Sequence, residues 1–444
     1  MSDTLPPGPR GPLNGLILFG PPFLRWCHRR YGDRFTVRLG RFGDYVYLVD
    51  PDDIRSVFHA DDTLLHAGEA NAPFLGRVLG PNSVLVTDED VHRRQRRRMT
   101  GPFHGGSVAR LVPRMAAIAA ADVDTWPVGR PFAVHEHMRH VTLEVILQTV
   151  IGVTDESRLD QLRAALLDLT DIKMWMMAQF VFPGLSRFRP WRYLWDRKAR
   201  ADQLLIDEFE RARQDPSLQE RPDVLAMLVR HREEDETAMT DDELRDQIVT
   251  LLLAGHETTA TWLSWALERL TRHPAVLAQA TAAARAGDDA YLDAVVTETL
   301  RARPVVPDVS RRLMGDFELG QYRLPAGTFV DPAIVLVHGS ERLHDRAGQF
   351  DPSRYVGARP DPAVWLPFGG GNRRCLGAAF AATEMRVVLA EILRRVDLEP
   401  TSAAPERARM RHVTLTPHRG GRVKVAQFVE RVLVAGASPA PTAP

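Results

Sequence analysis

The feature that most constrains this chain is a glycine-rich loop that ends in a cysteine, Phe368-Gly369-Gly370-Gly371-Asn372-Arg373-Arg374-Cys375-Leu376-Gly377. It stands directly before a helical pattern running from Ala378 to about Arg395. A thiol at a helix N-terminus feels the positive end of the macrodipole and the unpaired backbone N–H groups. That setting is expected to lower its pKa and favour the thiolate, the form that binds metal. Three glycines let the backbone approach a flat partner closely and take up positive φ, and Arg373 and Arg374 can pair with carboxylates. One thiolate beside carboxylate-binding arginines suits one large anionic cofactor, a haem held through an axial cysteine. The plainer alternatives are an inert buried cysteine and an ordinary loop. A phosphate cradle would need Lys-Ser or Lys-Thr after the glycines, and zinc would need further ligands nearby.

Composition sets the remaining bounds. With 444 residues and 44% hydrophobic content there is ample material for a large core. Formal charge is zero, so no bulk field draws the chain to nucleic acid or to an anionic membrane. Cys27 and Cys375 are the two cysteines, which excludes a disulfide framework and fits a reducing compartment. The apolar stretch from Leu16 to Leu24 is broken by Gly20, Pro21 and Pro22. It neither spans a bilayer nor reads as a signal peptide, so a cytoplasmic location is expected. Residues 1–12 read as a flexible N-terminus, 13–430 as a single domain, and 431–444 as a disordered tail rich in proline and alanine.

The pattern along the chain is mainly α with a minor β portion. A helix is expected over Pro22–Tyr31, with strands over Arg34–Leu39 and Tyr45–Val49, then an almost wholly helical stretch from Asp88 to about Thr299. A strand-rich patch follows from Val305 to Leu336, and another from Arg411 to Phe428. The longest helix starts at the capping box Thr240/Glu243 and stops before Pro274. Its middle, Ile248 to Ala254, is apolar on every face and so is expected to be buried all round. There the run Ala254-Gly255-His256-Glu257-Thr258-Thr259 breaks local helix rules, since a mid-helix glycine costs about 1 kcal/mol relative to alanine. Gly255 with Thr258 would leave a groove for a small molecule, and Glu257 beside Thr258 supplies an acid and a hydroxyl, the parts of a proton relay. A back-bonded threonine beside a salt-bridged glutamate is an equally good reading. A zinc-protease HExxH reading fails because position 260 is alanine.

Three charge patterns complete the inventory. Glu298 and Arg301 share a helical face, and Phe350-Asp351-Pro352-Ser353-Arg354-Tyr355 could deliver a third charge, Arg354. Asp88 starts a helix with acids first and bases after. His92 and Arg96 share one face, while Arg93, Arg94, Arg97 and Arg98 spread over the solvated others. Such a density of bases suits docking of an acidic protein partner.

The cysteine loop, the Ala254–Thr259 motif, Glu298/Arg301 and Phe350–Tyr355 together resemble the cytochrome P450 family of haem-thiolate monooxygenases, from about Leu16 to Val425. The resemblance implies that family's fold, a long central helix over a haem with a small β-rich region. It implies haem b (iron protoporphyrin IX) with Cys375 as iron ligand and Phe368 beside the sulfur. His92, Arg96, Arg311 and Arg373 would meet the propionates, with Ala254 and Gly377 also contacting the cofactor. Glu298, Arg301 and Arg354 would brace the proximal side, and Glu257 and Thr258 would deliver protons to bound O2. Position 92 is a departure, since tryptophan is common there. Electrons would come from NAD(P)H through a ferredoxin reductase and a ferredoxin, because no flavin- or iron–sulfur-binding segment is present. The implied protein is a soluble monomer with no nucleic-acid partner, active in secondary metabolism. Asn71–Val78, Met174–Phe182 and Val305–Val309 would line the substrate pocket. Met174, Trp175, Met176, Met177, Phe180 and Phe182 suit a lipophilic substrate such as a terpenoid, fatty acyl chain or polyketide, or else merely pack helices. Asp308 is an isolated acid in an apolar segment. Two other classes stay open, a peroxide-driven peroxygenase or haem-thiolate isomerase and a non-catalytic haem sensor or carrier.

Overall fold

The computed structural model describes residues 5–170, 183–230 and 239–429. The described chain is mainly helical with small sheets, as the periodicity predicts. Helix Pro21–Tyr31 and strands β1 (Arg34–Arg38) and β2 (Asp44–Leu48) fall within a residue of expectation. With β3 (Leu65–His66), β4 (Arg311–Leu313) and β5 (Phe329–Pro332) they form a five-stranded sheet in the order β1-β2-β5-β4-β3. The expected strand-rich patch thus begins at Arg311, not Val305. Pro304 and Pro307 supply no N–H to a ladder. In the parallel β2–β5 pair Tyr47 stands opposite Asp331. The sheet packs Phe35, Val46, Leu48 and Val330 against Ile54 and Val57 of helix Pro51–His59.

The second and larger apolar cluster is helical and surrounds a 32-residue central helix, Asp241–Arg272. Its start is the expected capping box: Glu243 N donates to Thr240 Oγ1 at 3.2 Å, and Thr240 N donates to the Glu243 carboxylate at 3.0 Å. Two expectations about its middle are corrected. A Cβ on Gly255 would lie 3.1 Å from Ile146 Cδ1, so this glycine lets helix Val134–Ile146 approach and does not leave a groove of its own. Burial is also not complete all round. Ile248, Val249 and Leu252 are buried, Leu251 and Leu253 are half-buried, and Ala254 is exposed. Leu251, Ala254 and Thr258 therefore form an open strip along the helix, at i, i+3 and i+7.

Candidate active site

The cysteine loop is closed by its own backbone: Cys375 N donates to Phe368 O at 2.8 Å, just before helix Ala378–Arg395. Gly369 and Gly371 have φ of +63° and +64°, a region in which a side chain is strained. A Cβ on Gly370 would lie 2.2 Å from the Phe58 ring, and one on Gly371 2.2 Å from the Phe58 carbonyl oxygen. The close protein partner of Gly370 and Gly371 is therefore helix Pro51–His59. Gly377 meets nothing within 4 Å and has an ordinary φ of −83°, so on the protein side its position is open. Phe368 lies edge-on to Trp365, with ring centroids 5.9 Å apart.

The thiol of Cys375 is exposed, yet burial pushes its pKa up. Accessible but set deep among protein atoms, it looks into a cleft. The expected lowering is overturned, because desolvation of the thiolate outweighs the Gly377 backbone N–H and the Arg96 and Arg374 cations that favour it. A bound metal ion reverses that balance by taking the proton's place on sulfur.

The arginine-rich helix, Glu89–Thr100, follows Asp88 as expected. His92 is buried, and burial together with Arg373 and Arg96 pushes its pKa down to about 3. Its Nδ1 has no hydrogen-bond partner among the described residues. Burial and the Arg373 charge likewise lower Arg311 to about 10. Arg373 is lowered by burial despite its ion pair with Asp88. Arg96 donates from Nη2 to the Arg374 carbonyl oxygen at 2.7 Å. The structure thus brings His92, Arg96, Arg311 and Arg373 together beside the cysteine loop, with Asp88 the carboxylate paired to Arg373 there. Buried arginines whose charges depress His92 and Arg311 fit a dianionic group, and a haem's two propionates are of that kind. Arg98 corrects the solvated-face expectation: it is buried and pairs with Glu243 at 3.6 Å.

Behind the loop, Glu298 and Arg301 are fully buried and joined by two hydrogen bonds of 2.7 Å. Arg301 also donates to the carbonyls of His338, Ala347 and Gln349 at 2.9–3.0 Å. Arg354 reaches Glu298 at 3.4 Å, so the three charges form the expected assembly.

The acid–alcohol pair is not assembled. The Glu257 carboxylate is held by Arg139 at 3.2 Å, His135 at 3.4 Å and Arg411 at 3.6 Å. Thr258 Oγ1 donates back to Ala254 O at 2.5 Å. Burial raises the Glu257 pKa, but the His135 hydrogen bond and the charges of Arg411, His135 and Arg139 win and hold it at about 2, below its ordinary 4.5. Depressed in the fold, this carboxylate contributes stability that is complete above pH 4.5 and lost as pH falls toward 2. The shift corresponds to roughly 3 kcal/mol. Glu257→Gln should therefore unfold more easily at neutral pH, with the gap closing as pH drops to about 2. Urea titrations across that range check it, and a gap independent of pH would refute it.

Several contributors carry no motif. Asp88 does not cap its own helix with its side chain but accepts from Gly68 N and Glu69 N at 2.9 Å as well as from Arg373. Residues 82–84 form a strap. Asn82 N donates to Asp246 at 3.0 Å, Val84 N to Gln247 at 3.1 Å, and Thr250 to Ser83 Oγ at 2.7 Å, while Val84 O accepts from Arg373 at 3.3 Å. The strap ties the cysteine loop to the central helix one turn before Ala254. Three polar residues, Asp246, Gln247 and Thr250, in a buried helix were the available signal. Asn71–Val78 lies in helix Ala67–Leu79, and Met174–Phe182 lies outside the described residues.

A family model described as cytochrome P450 matches residues 6–425. The chain is 52% identical over 434 residues to cytochrome P450 135B1 of Mycobacterium tuberculosis (strain ATCC 25618 / H37Rv), covering 96% of this chain and 92% of that protein. It is 38% identical over 426 residues to cytochrome P450 138 of Mycobacterium bovis (strain ATCC BAA-935 / AF2122/97), covering 94% and 96%. Among solved structures, retinoic acid bound cyanobacterial CYP120A1 is similar in fold, with a TM-score of 0.81 at 22% identity over 96% of this chain and 100% of that one.

Proposed function

The chain belongs to the cytochrome P450 family of haem monooxygenases, and from that premise we propose that it uses haem b to insert one oxygen atom of O2 into a lipophilic small molecule of terpenoid, fatty acyl or polyketide-like character. Electrons would pass from NAD(P)H through a ferredoxin reductase and a ferredoxin to residues 13–430 acting as one monomeric, cytoplasmic unit in secondary metabolism. No helix among the described residues is long and apolar enough to cross a membrane, which agrees with that reading. The observation that carries the proposal is the accessible Cys375 thiol at the head of a helix, flanked by the buried cations Arg311 and Arg373 and by the uncharged imidazole of His92.

The sulfur of Cys375 would hold the iron, and His92, Arg96, Arg311 and Arg373 would hold the propionates. When bound, the haem supplies oxygen activation, which a thiolate ligand favours. Thr258 spends its proton on the Ala254 carbonyl, so its oxygen lone pairs accept from any O–H in the open strip. A water there would be oriented by that acceptor. Glu257 stays ionised at neutral pH and must swing away from Arg139, Arg411 and His135 before it can pass a proton to the strip.

That last requirement favours a second reading, a peroxide-driven enzyme that needs no delivered protons. The two separate on Thr258→Ala. If dioxygen is used, product formed per NAD(P)H consumed falls at least about tenfold, within the usual worth of a positioned proton-transfer group, while peroxide-supported turnover persists. Coupling unchanged from the parent protein would sink the dioxygen reading.

A further inference from the structure

A separate cleft of about 310 Å³ opens where three stretches of chain meet: the C-terminal end of the central helix at Thr271 and Arg272, the loop from Glu399 to Glu406, and the turn from Arg419 to Lys424. It is remote from the open strip, since Arg272 stands about 21 Å beyond Thr258 along the same helix at 1.5 Å per residue. Backbone bonds fix each wall. Thr401 N donates to Thr271 O at 2.7 Å, and Glu399 N donates to Lys424 O at 2.9 Å. Strand Arg422–Val423 pairs with Phe132–Ala133. Gly420 and Gly421 shape the turn with φ of +76° and +64°, and a Cβ on Gly421 would lie 2.8 Å from the Ser264 carbonyl oxygen. The turn is therefore seated on the central helix and carries Arg419 and Arg422 on a rigid support.

Four cations line the cleft, Arg272, Arg419, Arg422 and Lys424, against two carboxylates, Glu399 and Glu406, which leaves two positive charges in excess. Both acids are already committed. Glu406 is 4% exposed and accepts from Arg419 N at 2.8 Å and Arg422 N at 2.9 Å, so it holds the turn from inside. Glu399 pairs with Lys424 at 2.9 Å. Arg272 donates to the Ala403 and Ala404 carbonyls and pairs with Glu268, an acid it shares with Arg269. Arg419 Nη2 donates to Ala404 O at 2.7 Å, with Glu406 3.9 Å from its Nε. Arg422 is exposed and forms no ion pair among the described residues, where its guanidinium bonds only Pro131 O, at 3.5 Å. A guanidinium has five donors in a fixed fork, so most of those on Arg422 are left for water or an anion. The negative end of the helix is muted here, because Leu270 O accepts from His273 N and Thr271 O from Thr401 N.

We propose that this cleft binds a pyrophosphoryl group, free or as part of a nucleoside diphosphate, through Arg419 and Arg422. Guanidinium groups hold phosphate oxygens in bidentate pairs, and two of them on one tight turn match two neighbouring phosphoryl groups. The two unbalanced charges call for a ligand that is at least dianionic. The site stands apart from the monooxygenase reading and does not depend on it.

The test is calorimetric titration of the haem-loaded protein at pH 7.5 with inorganic pyrophosphate and, separately, with ADP, both without divalent metal. One equivalent of pyrophosphate should bind with a dissociation constant below about 1 mM. Arg422→Gln should weaken it at least about tenfold, the usual worth of a charged hydrogen bond, and Arg422→Lys should recover part of the loss. Arg97→Gln, which removes the same charge from the arginine-rich helix, should leave the affinity as it was. Each variant should keep the parent's CO-bound spectrum, which shows that its fold is retained. ADP bound at least as tightly as pyrophosphate assigns the site to a nucleotide, and ADP bound more weakly assigns it to the free ion. No saturable binding of pyrophosphate by the parent protein, or a loss in Arg97→Gln as large as in Arg422→Gln, would overturn the site.

Discussion

Cys375→Ser should leave a folded protein whose product formation is below about a thousandth of the parent's, a barrier increase of at least about 4 kcal/mol. Its reduced, CO-bound form should lose the long-wavelength Soret band that marks a thiolate ligand, which the parent protein should show. The reasoning is local. The cysteine backbone, not its side chain, closes the loop on Phe368, and serine preserves that bond. The loop's shape is set by Gly370 and Gly371 against Phe58, which the substitution does not touch. A hydroxyl lacks the electron donation of a thiolate and is far less readily ionised in a setting where even the thiol is raised by burial. Spectra and product assays on the purified variant check this. A retained thiolate band would show that Cys375 is not the ligand.

Arg301→Ala should act on folding instead. Glu298 and Arg301 have no solvent-accessible side-chain surface, and the guanidinium serves three backbone carbonyls in addition to its acid. Removing it strands Glu298 as a buried charge, with Arg354 at 3.4 Å as a neighbouring cation. Breaking a buried pair from one side costs about 3–5 kcal/mol, a large share of the 5–15 kcal/mol typical of a folded protein. The expected result is poor soluble yield, and in whatever folds a urea midpoint far below the parent's. Arg301→Lys should fall between, keeping the charge but losing the fork that reaches several acceptors. An unfolding free energy within about 0.5 kcal/mol of the parent for the alanine variant would refute the structural role.

Elements that announce themselves locally were legible in the sequence. Thr240 and Glu243 stand three apart with an apolar run behind them, and the capping box followed. The cysteine loop and the Glu298/Arg301 spacing are likewise short-range signals, and the structure builds an assembly on each. What escaped was long-range. Nothing near Gly370 indicates that Phe58, more than three hundred residues earlier, presses on it. The placing of Asp331 opposite Tyr47 depends on β5 lying between β2 and β4, which no window of sequence reports. The direction of the Cys375 shift was misjudged for a related reason. A helix N-terminus is visible in sequence, whereas the depth of burial that outweighs it is a property of the assembled fold. Glu257 follows suit, because two of its partners come from Val134–Ile146 and the third from the distant strand around Arg411.

The strap at residues 82–84 bears on the order in which the molecule assembles. Its bonds to the central helix span 163 to 167 residues of chain, and the bonds from Arg373 and Arg96 across the cysteine loop span 289 and 278. Contacts of such separation are made late, after shorter loops have closed and helices have docked. They are also among those that a partly opened protein gives up first. Loss of the cofactor and loss of the helical core should therefore be two events, the first reached under milder conditions and reversible while the core endures.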